Sequence, residues 1–400
     1  MTIISPAAKR QPVPRGIATE GPVLFSYGFR PFFLGAGFWA VAAMVLWIGA
    51  LVGGWEVGGS YGPVFWHAHE MLFGFGSAAL AGFLLTAVPN WTGRLPVSGW
   101  PLVGLFAVWC AGRAAMVAPD VPGPLVAVLV DAAFLPLLLA ICAREIVAGR
   151  KWRDLKLLLG VLALAGANAA YHAAVLTDGD AGPLSRAAIG AFVMLVTIIG
   201  GRVVPSFTRN WLARREDPHL PTPFNRFDVI ALAAGLVALL LWAGFPDMLP
   251  TAAACLLAAV LHLVRLARWR GWRTRAEALV LILHLGYLFV PAGFLALALV
   301  PLGLFDPVSA LHVLTVGTIG TMILAIMTRA TRGHTGLPLA ASPVTVLSYV
   351  ALIGAAVLRP LGGVFPDSTI ELSAAAGGCW LVAFGLYLAE YGPVLVRRRR

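Results

Sequence analysis

The sequence predicts an all-α, polytopic integral membrane bundle of about twelve transmembrane helices, and three observations predict it. Of the 400 residues 60% are hydrophobic and only 12% are charged, about half the charged share of a soluble domain. The mean hydropathy is +0.86. Apolar runs of about 20 residues, long enough to cross a bilayer, recur along the whole chain between short turns. So few charged groups cannot coat a water-soluble surface of this size, which excludes a soluble enzyme carrying a single anchor. The net charge of +11 would suggest a nucleic-acid partner in a soluble protein, so its placement along the chain decides its meaning.

The predicted spans cover residues 32–53, 64–88, 101–118, 124–148, 154–176, 183–207, 226–245, 248–268, 276–300, 307–330, 341–358 and 371–396. The third and fourth, and the seventh and eighth, are parted only by Pro, Gly and Asp turns, so merging one pair would leave eleven. The charges select twelve. With that count, all of the 29 Lys and Arg except Arg113, Arg186 and Arg359 fall on one side, together with both termini. The opposite loops carry Glu56, Asp120, Asp178, Asp180, Asp247, Asp306, Asp367 and Glu371. By the positive-inside rule both termini are cytoplasmic, and the excess charge is a topological label that implies no nucleic acid.

Residues 1–25, with Pro6, Pro12 and Pro14, contain no apolar core of their own and read as a cytoplasmic tail, not a cleavable signal peptide. Residues 26–396 form a single bundle, and 397–400 a basic cytoplasmic end. Cys110, Cys142, Cys255 and Cys379 all sit within apolar spans without a CxxC pair, as buried thiols do, so neither a disulfide framework nor an iron–sulfur site is expected. The second span ends Val88-Pro89-Asn90-Trp91-Thr92, the sixth Val204-Pro205-Ser206-Phe207-Thr208 and the tenth Met327-Thr328-Arg329. Either the chain repeats a four-helix unit three times, or this is the ordinary composition of membrane-helix ends.

Ionisable groups inside apolar spans are costly and mark function by default. Counting from the outer ends at the helical rise, His67, His69 and Glu70 lie about 5–10 Å deep, Asp131 about 10 Å, His172 about 6 Å and His312 about 8 Å, with Arg113 at a similar level. Helix ends tolerate single polar residues through snorkelling; His67, His69, Glu70, His172 and His312 together point to a common polar site in the outer half. Neutral imidazole is a natural ligand for haem iron or copper. His67 and His69 are about 200° apart on an α-helix and so serve different partners, unless the helix start unwinds. Asn168 and Tyr171 share the face of His172 and are placed to orient it. Below His312, Gly317 and Gly320 leave room for a flat macrocycle or for close helix packing.

His284, near the middle of the ninth span with Tyr287 on its face, is a further ligand candidate. His262, beside Arg265 and Arg268, reads as an interface residue, and His219 and His334 as loop residues. Arg113, Arg186 and Arg359, which break the charge pattern, are suited either to the carboxylates of a bound haem or to pairing with Asp120, Asp131 or Glu371. Gly74-Phe75-Gly76-Ser77-Ala78-Ala79 mimics a dinucleotide fingerprint, but no strand precedes it, and it reads as a helix-packing stripe.

The wording of several segments is specific. Ser26-Tyr27-Gly28-Phe29-Arg30-Pro31-Phe32-Phe33, Trp66-His67-Ala68-His69-Glu70-Met71-Leu72-Phe73-Gly74 and Ala87-Val88-Pro89-Asn90-Trp91-Thr92-Gly93-Arg94 resemble the NnrS family. So do Gly201-Arg202-Val203-Val204-Pro205, Leu283-His284-Leu285-Gly286-Tyr287, His312-Val313-Leu314-Thr315-Val316-Gly317, Met327-Thr328-Arg329 and Gly333-His334-Thr335-Gly336. The resemblance implies a bacterial inner-membrane protein of twelve helices that contains haem, of b type, and copper, and that is tied to nitric oxide in denitrification and nitrosative stress. Its motifs fall on His67, His69, Glu70, His284, His312 and His334.

These readings combine into an oxidoreductase that reduces nitric oxide to nitrous oxide at a metal held by His67, His69, His172, His284 and His312, with Arg113 on the cofactor. Glu70 is the catalytic proton relay, and quinol or a periplasmic carrier is the electron donor. Haem–copper oxidases have a similar helix number, but the sixth span here has no His and the tenth has one, so their ligand pattern does not map. The rival readings are an NO scavenger or sensor without turnover and a transporter or metal-handling protein.

Overall fold

The structure, a computed structural model, describes residues 21–398; the tail of residues 1–20 and the final two arginines lie outside the described residues. Twelve helices are long and apolar enough to span a membrane, and no strand occurs among the described residues. In chain order they are α1 (Phe29–Gly53), α2 (Gly59–Thr92), α3 (Trp100–Val117), α4 (Pro124–Ala148), α5 (Trp152–Leu176) and α6 (Gly182–Ala213). They continue as α7 (Arg226–Gly244), α8 (Leu249–Ala267), α9 (Ala278–Leu302), α10 (Pro307–Thr335), α11 (Pro343–Leu361) and α12 (Pro366–Val396).

Local sequence sets their ends. Asp306 Oδ2 accepts from the Ser309 amide at 2.6 Å at the start of α10, Ser342 Oγ from the Thr345 amide at 3.0 Å at the start of α11, and Asn225 Oδ1 from the Phe227 amide at 3.0 Å at the start of α7. Each satisfies a donor that the first helical turn leaves orphaned. Gly93 (φ 72°) follows α2 and Gly336 (φ 84°) follows α10, both left-handed, a conformation that favours glycine at helix C-termini. Several observed helices overrun the expected spans, α2 (Gly59–Thr92 against 64–88) and α6 (Gly182–Ala213 against 183–207) most of all. Pro63 sits in the first turn of the α-helical part of α2, where a missing N–H costs nothing, and Pro205, within the expected sixth span, is accommodated inside α6.

Successive helices pack as antiparallel neighbours, and α1 packs on α12. Arg30 Nη1 donates to the carbonyls of Val394 (3.2 Å), Leu395 (2.7 Å) and Arg397 (2.9 Å), tying the beginning of the bundle to its end. That contact places the start of α1 and the end of α12 at one face, called here the terminal face. Large apolar side chains such as Leu159, Leu240 and Val350 stand exposed on the outer helices, as a lipid-facing surface requires.

Within the bundle α2 is the most enclosed span, with 89% of its apolar window buried. It and α10 share a departure from α-geometry. Each has a π-helical segment directly after a histidine: Glu70–Gly76 after His69 in α2 and Val313–Gly320 after His312 in α10. Such wide turns are rare and recur at functional sites. Between α1, α2, α6 and α10 lies an apolar crevice of about 80 Å³ lined by Phe33, Ala79, Phe192, Ile199, Ile323 and Met327, among others.

Candidate metal centre

The half of the bundle away from the terminal face holds a dry polar layer built from α2, α3, α4 and α5. His69 and His172 are 0% exposed, Glu70 0%, Asp131 and Asn168 2%, and Arg113 5%. Burial of this many polar atoms is tolerable only if they satisfy one another, and among the cluster's atoms Arg113 Nε alone is buried without a hydrogen-bond partner among the described residues. Arg113 spreads its fork over two carboxylates, Nη1 on Glu70 Oε2 and Nη2 on Asp131 Oδ1. Asn168 Nδ2 donates to Asp131 Oδ2 at 2.9 Å. Two glycines make the space. A Cβ on Gly74 would lie 2.5 Å from Arg113 Nη1 and 2.8 Å from Glu70 Oε2, and one on Gly112 3.2 Å from Asp131 Oδ1. The stripe resembling a dinucleotide fingerprint is thus a cradle for this ion pair.

Three atoms face a common point: His69 Nε2, His172 Nε2 and Asp131 Oδ2. The carboxylate oxygen lies 3.3 Å from the first and 2.9 Å from the second, and all three lie within 4.8 Å of one another. The other polar atom of each side chain is held from outside. His69 Nδ1 contacts Glu70 Oε1 at 2.8 Å, His172 Nδ1 contacts the Tyr61 hydroxyl at 2.6 Å, and Asp131 Oδ1 takes Arg113. Orienting partners on the outward atoms are the rule for metal ligands. Asn168 Oδ1, 3.0 Å from His69 Nε2, borders the same point.

His67 looks the other way. Its ring stacks on Trp47 with centroids 4.3 Å apart, and its Nδ1 is buried with no hydrogen-bond partner among the described residues. His312 Nδ1 bonds the Val308 carbonyl at 2.6 Å, which assigns the proton to Nδ1 and leaves the Nε2 lone pair free. The expected single polar site is therefore divided, with His67 on the face of α2 opposite His69, because α2 stays α-helical from Gly62 through His69.

The other expectations resolve as follows. Arg113 is committed to protein carboxylates, and Arg186 donates to the Ala243 carbonyl at 3.2 and 3.1 Å. Gly317 and Gly320 admit the rings of Phe289 and Trp380, so close packing explains them. His284 belongs to neither group. It lies near the start of α9, toward the terminal face, with Nε2 2.7 Å from Thr208 Oγ1. His262 is fully buried, 2.9 Å from the Tyr287 hydroxyl, and beside it Arg265 pairs with Asp228 at 2.9 Å; it is a core residue, which corrects the interface reading. Tyr61 went unnoticed in the sequence, since it precedes the expected span and only the fold brings it onto His172.

A polytopic membrane protein with a buried histidine–carboxylate cluster is the class that fold and site define. The sequence profile of the NnrS protein family matches residues 23–399, and the chain belongs to that family. None of the curated proteins matches it.

The groups implied by the resemblance are haem and copper. His67 and His312 offer the imidazole donors that haem iron or copper takes, one with an orphaned buried nitrogen and one with its tautomer fixed. The inward trio of His69, Asp131 and His172 offers two imidazoles and a carboxylate oxygen and no thiolate or thioether, the donors that select cuprous ion.

Proposed function

We propose that this protein is an oxidoreductase of the bacterial inner membrane, with both termini cytoplasmic, that reduces nitric oxide to nitrous oxide at a redox metal centre in the outer half of its bundle. Family membership ties the chain broadly to nitric oxide. The observation that carries the reading is the convergence of His69 Nε2, Asp131 Oδ2 and His172 Nε2 in a dry layer, with every outward atom held.

In the reaction two NO, two electrons and two protons give N₂O and water; an N–N bond forms and one N–O bond breaks. Quinol or a periplasmic carrier supplies the electrons. A haem held by His67 and His312 supplies one-electron chemistry when bound. The chain does the rest. NO is small and apolar, so it reaches the layer through lipid and the surrounding apolar packing. The hydrogen bonds of His69 with Glu70 and of His172 with Tyr61 hold the protons nearest to the inward atoms, which gives Glu70 and Tyr61 the proton-handling role. Arg113 holds Glu70 and Asp131 in place and keeps two carboxylates from facing each other unpaired.

The test is anaerobic: purified protein with a reductant and NO, with N₂O measured in the headspace and the visible spectrum recorded. A Soret band that shifts with NO, together with N₂O formation, is the expected result. A shift without N₂O makes the protein a scavenger or sensor. A metal-replete protein with neither points to transport.

A further inference from the structure

We propose that His69, Asp131 and His172 form a two-histidine, one-carboxylate site for a non-haem ferrous ion, separate from the group at His67 and His312. This deepens the functional reading above and rests on it in one respect: NO reduction needs a metal that changes oxidation state, which excludes zinc.

Three features of the cluster point to iron. The inward atoms are two imidazole nitrogens and one carboxylate oxygen, contributed by α2, α5 and α4. That donor set with open positions is the signature of mononuclear non-haem Fe(II), whereas thiolate and thioether donors select cuprous ion; the three inward atoms include no sulfur. The outward atoms are all engaged, by Glu70, Tyr61 and Arg113. The contact of His69 Nδ1 with Glu70 forms a carboxylate–histidine pair of the kind that raises ligand basicity and fixes ring orientation. Finally, the charges do not close without a cation. Glu70 and Asp131 bring two negative charges against the single positive charge of Arg113, and a net charge buried in low dielectric must be compensated. A divalent ion at the inward point compensates it and leaves room for an anionic ligand. The alternative is a proton on His69, which would make the cluster a purely structural network.

The two cases differ in what the purified protein contains. Full-length protein prepared anaerobically from iron-replete cells is expected to hold one non-haem iron per chain beyond any haem iron. Reduced and exposed to NO, it should give the quartet-spin EPR signal of a non-haem ferrous nitrosyl, distinct from the doublet of a haem nitrosyl. Asp131→Asn and His172→Ala should abolish the non-haem iron and the quartet signal while keeping the Soret band. Tyr61→Phe, which leaves all three inward atoms in place and removes the partner of His172 Nδ1, should weaken iron binding about tenfold. Because Asp131→Asn disturbs an ion pair and could misfold, wild-type protein stripped by a chelator is titrated with Co²⁺; ligand-field bands that saturate at one ion per chain support the site independently of any variant. Copper or zinc at the trio in place of iron overturns the proposal, as does a chain with no metal there and no response to Co²⁺. If N₂O still forms in those cases, the functional reading stands without this site; if iron binds and no N₂O forms, the site stands and the reduction fails.

Discussion

His172 Nε2 lies 2.9 Å from Asp131 Oδ2, although the two residues are 41 apart in the chain and stand on different helices. The contact joins α4 to α5 in the half of the bundle away from the terminal face and draws the remaining groups around it. Asn168 and His69 reach the same oxygen. Arg113 takes the other one. The carboxylate of Asp131 is therefore the hub of the layer, and its neighbours set the expected behaviour of variants.

Removing the cation from this hub should be the most damaging change to stability. Arg113→Met leaves two buried carboxylates without their shared partner, at a cost of about 3–5 kcal/mol. Arg113→Lys should recover only part of that, because an ammonium cannot span Glu70 and Asp131 as the planar fork does. Thermal unfolding in detergent measures both, with Lys expected between Met and wild type.

Glu70→Gln keeps the size of the side chain but removes its charge and its proton capacity. N₂O formation should fall by about a hundredfold or more, the usual range for a lost proton-transfer group, while the Soret band persists. Normal turnover in that variant would strip Glu70 of its proton role.

Gly74→Ala tests the cradle. Its Cβ would sit 2.5 Å from Arg113 Nη1 and 2.7 Å from Trp39 Nε1, so the ion pair must shift, at a cost of about 1–3 kcal/mol. Gly166→Ala is the control, since nothing lies within 4 Å of its added Cβ, and a helical alanine there should be neutral or stabilising. Unfolding temperatures of the two variants should move apart.

Separate groups on the two faces of α2 should give separate spectral phenotypes. His67→Ala and His312→Ala are expected to lose or shift the Soret band. His69→Ala and His172→Ala should keep it and lose other metal, and His284→Ala should alter neither. Visible spectra combined with metal analysis of the five variants check this. A Soret band indifferent to both His67 and His312 would move the haem elsewhere.

The sequence by itself determined the class of fold, the number of spans and the depth of the polar residues. Hydropathy and charge are one-dimensional properties that a bilayer reads along the chain, so Asp131, His172 and His312 could be placed in one layer without a structure. The helical period also separated His67 from His69, and that separation holds because the wide π-turn begins only at Glu70, after both histidines. The tertiary structure decided which groups at that depth meet. Depth along a helix says nothing of rotation about it or of which helices are neighbours, so Arg113 could be offered to a cofactor as readily as to Asp131. Packing gave it to Asp131 and Glu70. The same limit hid Tyr61, whose value lies wholly in a contact 111 residues away, and left His262 at an interface when it is in the core. A buried polar atom must find its partner in space, and only the folded bundle names that partner.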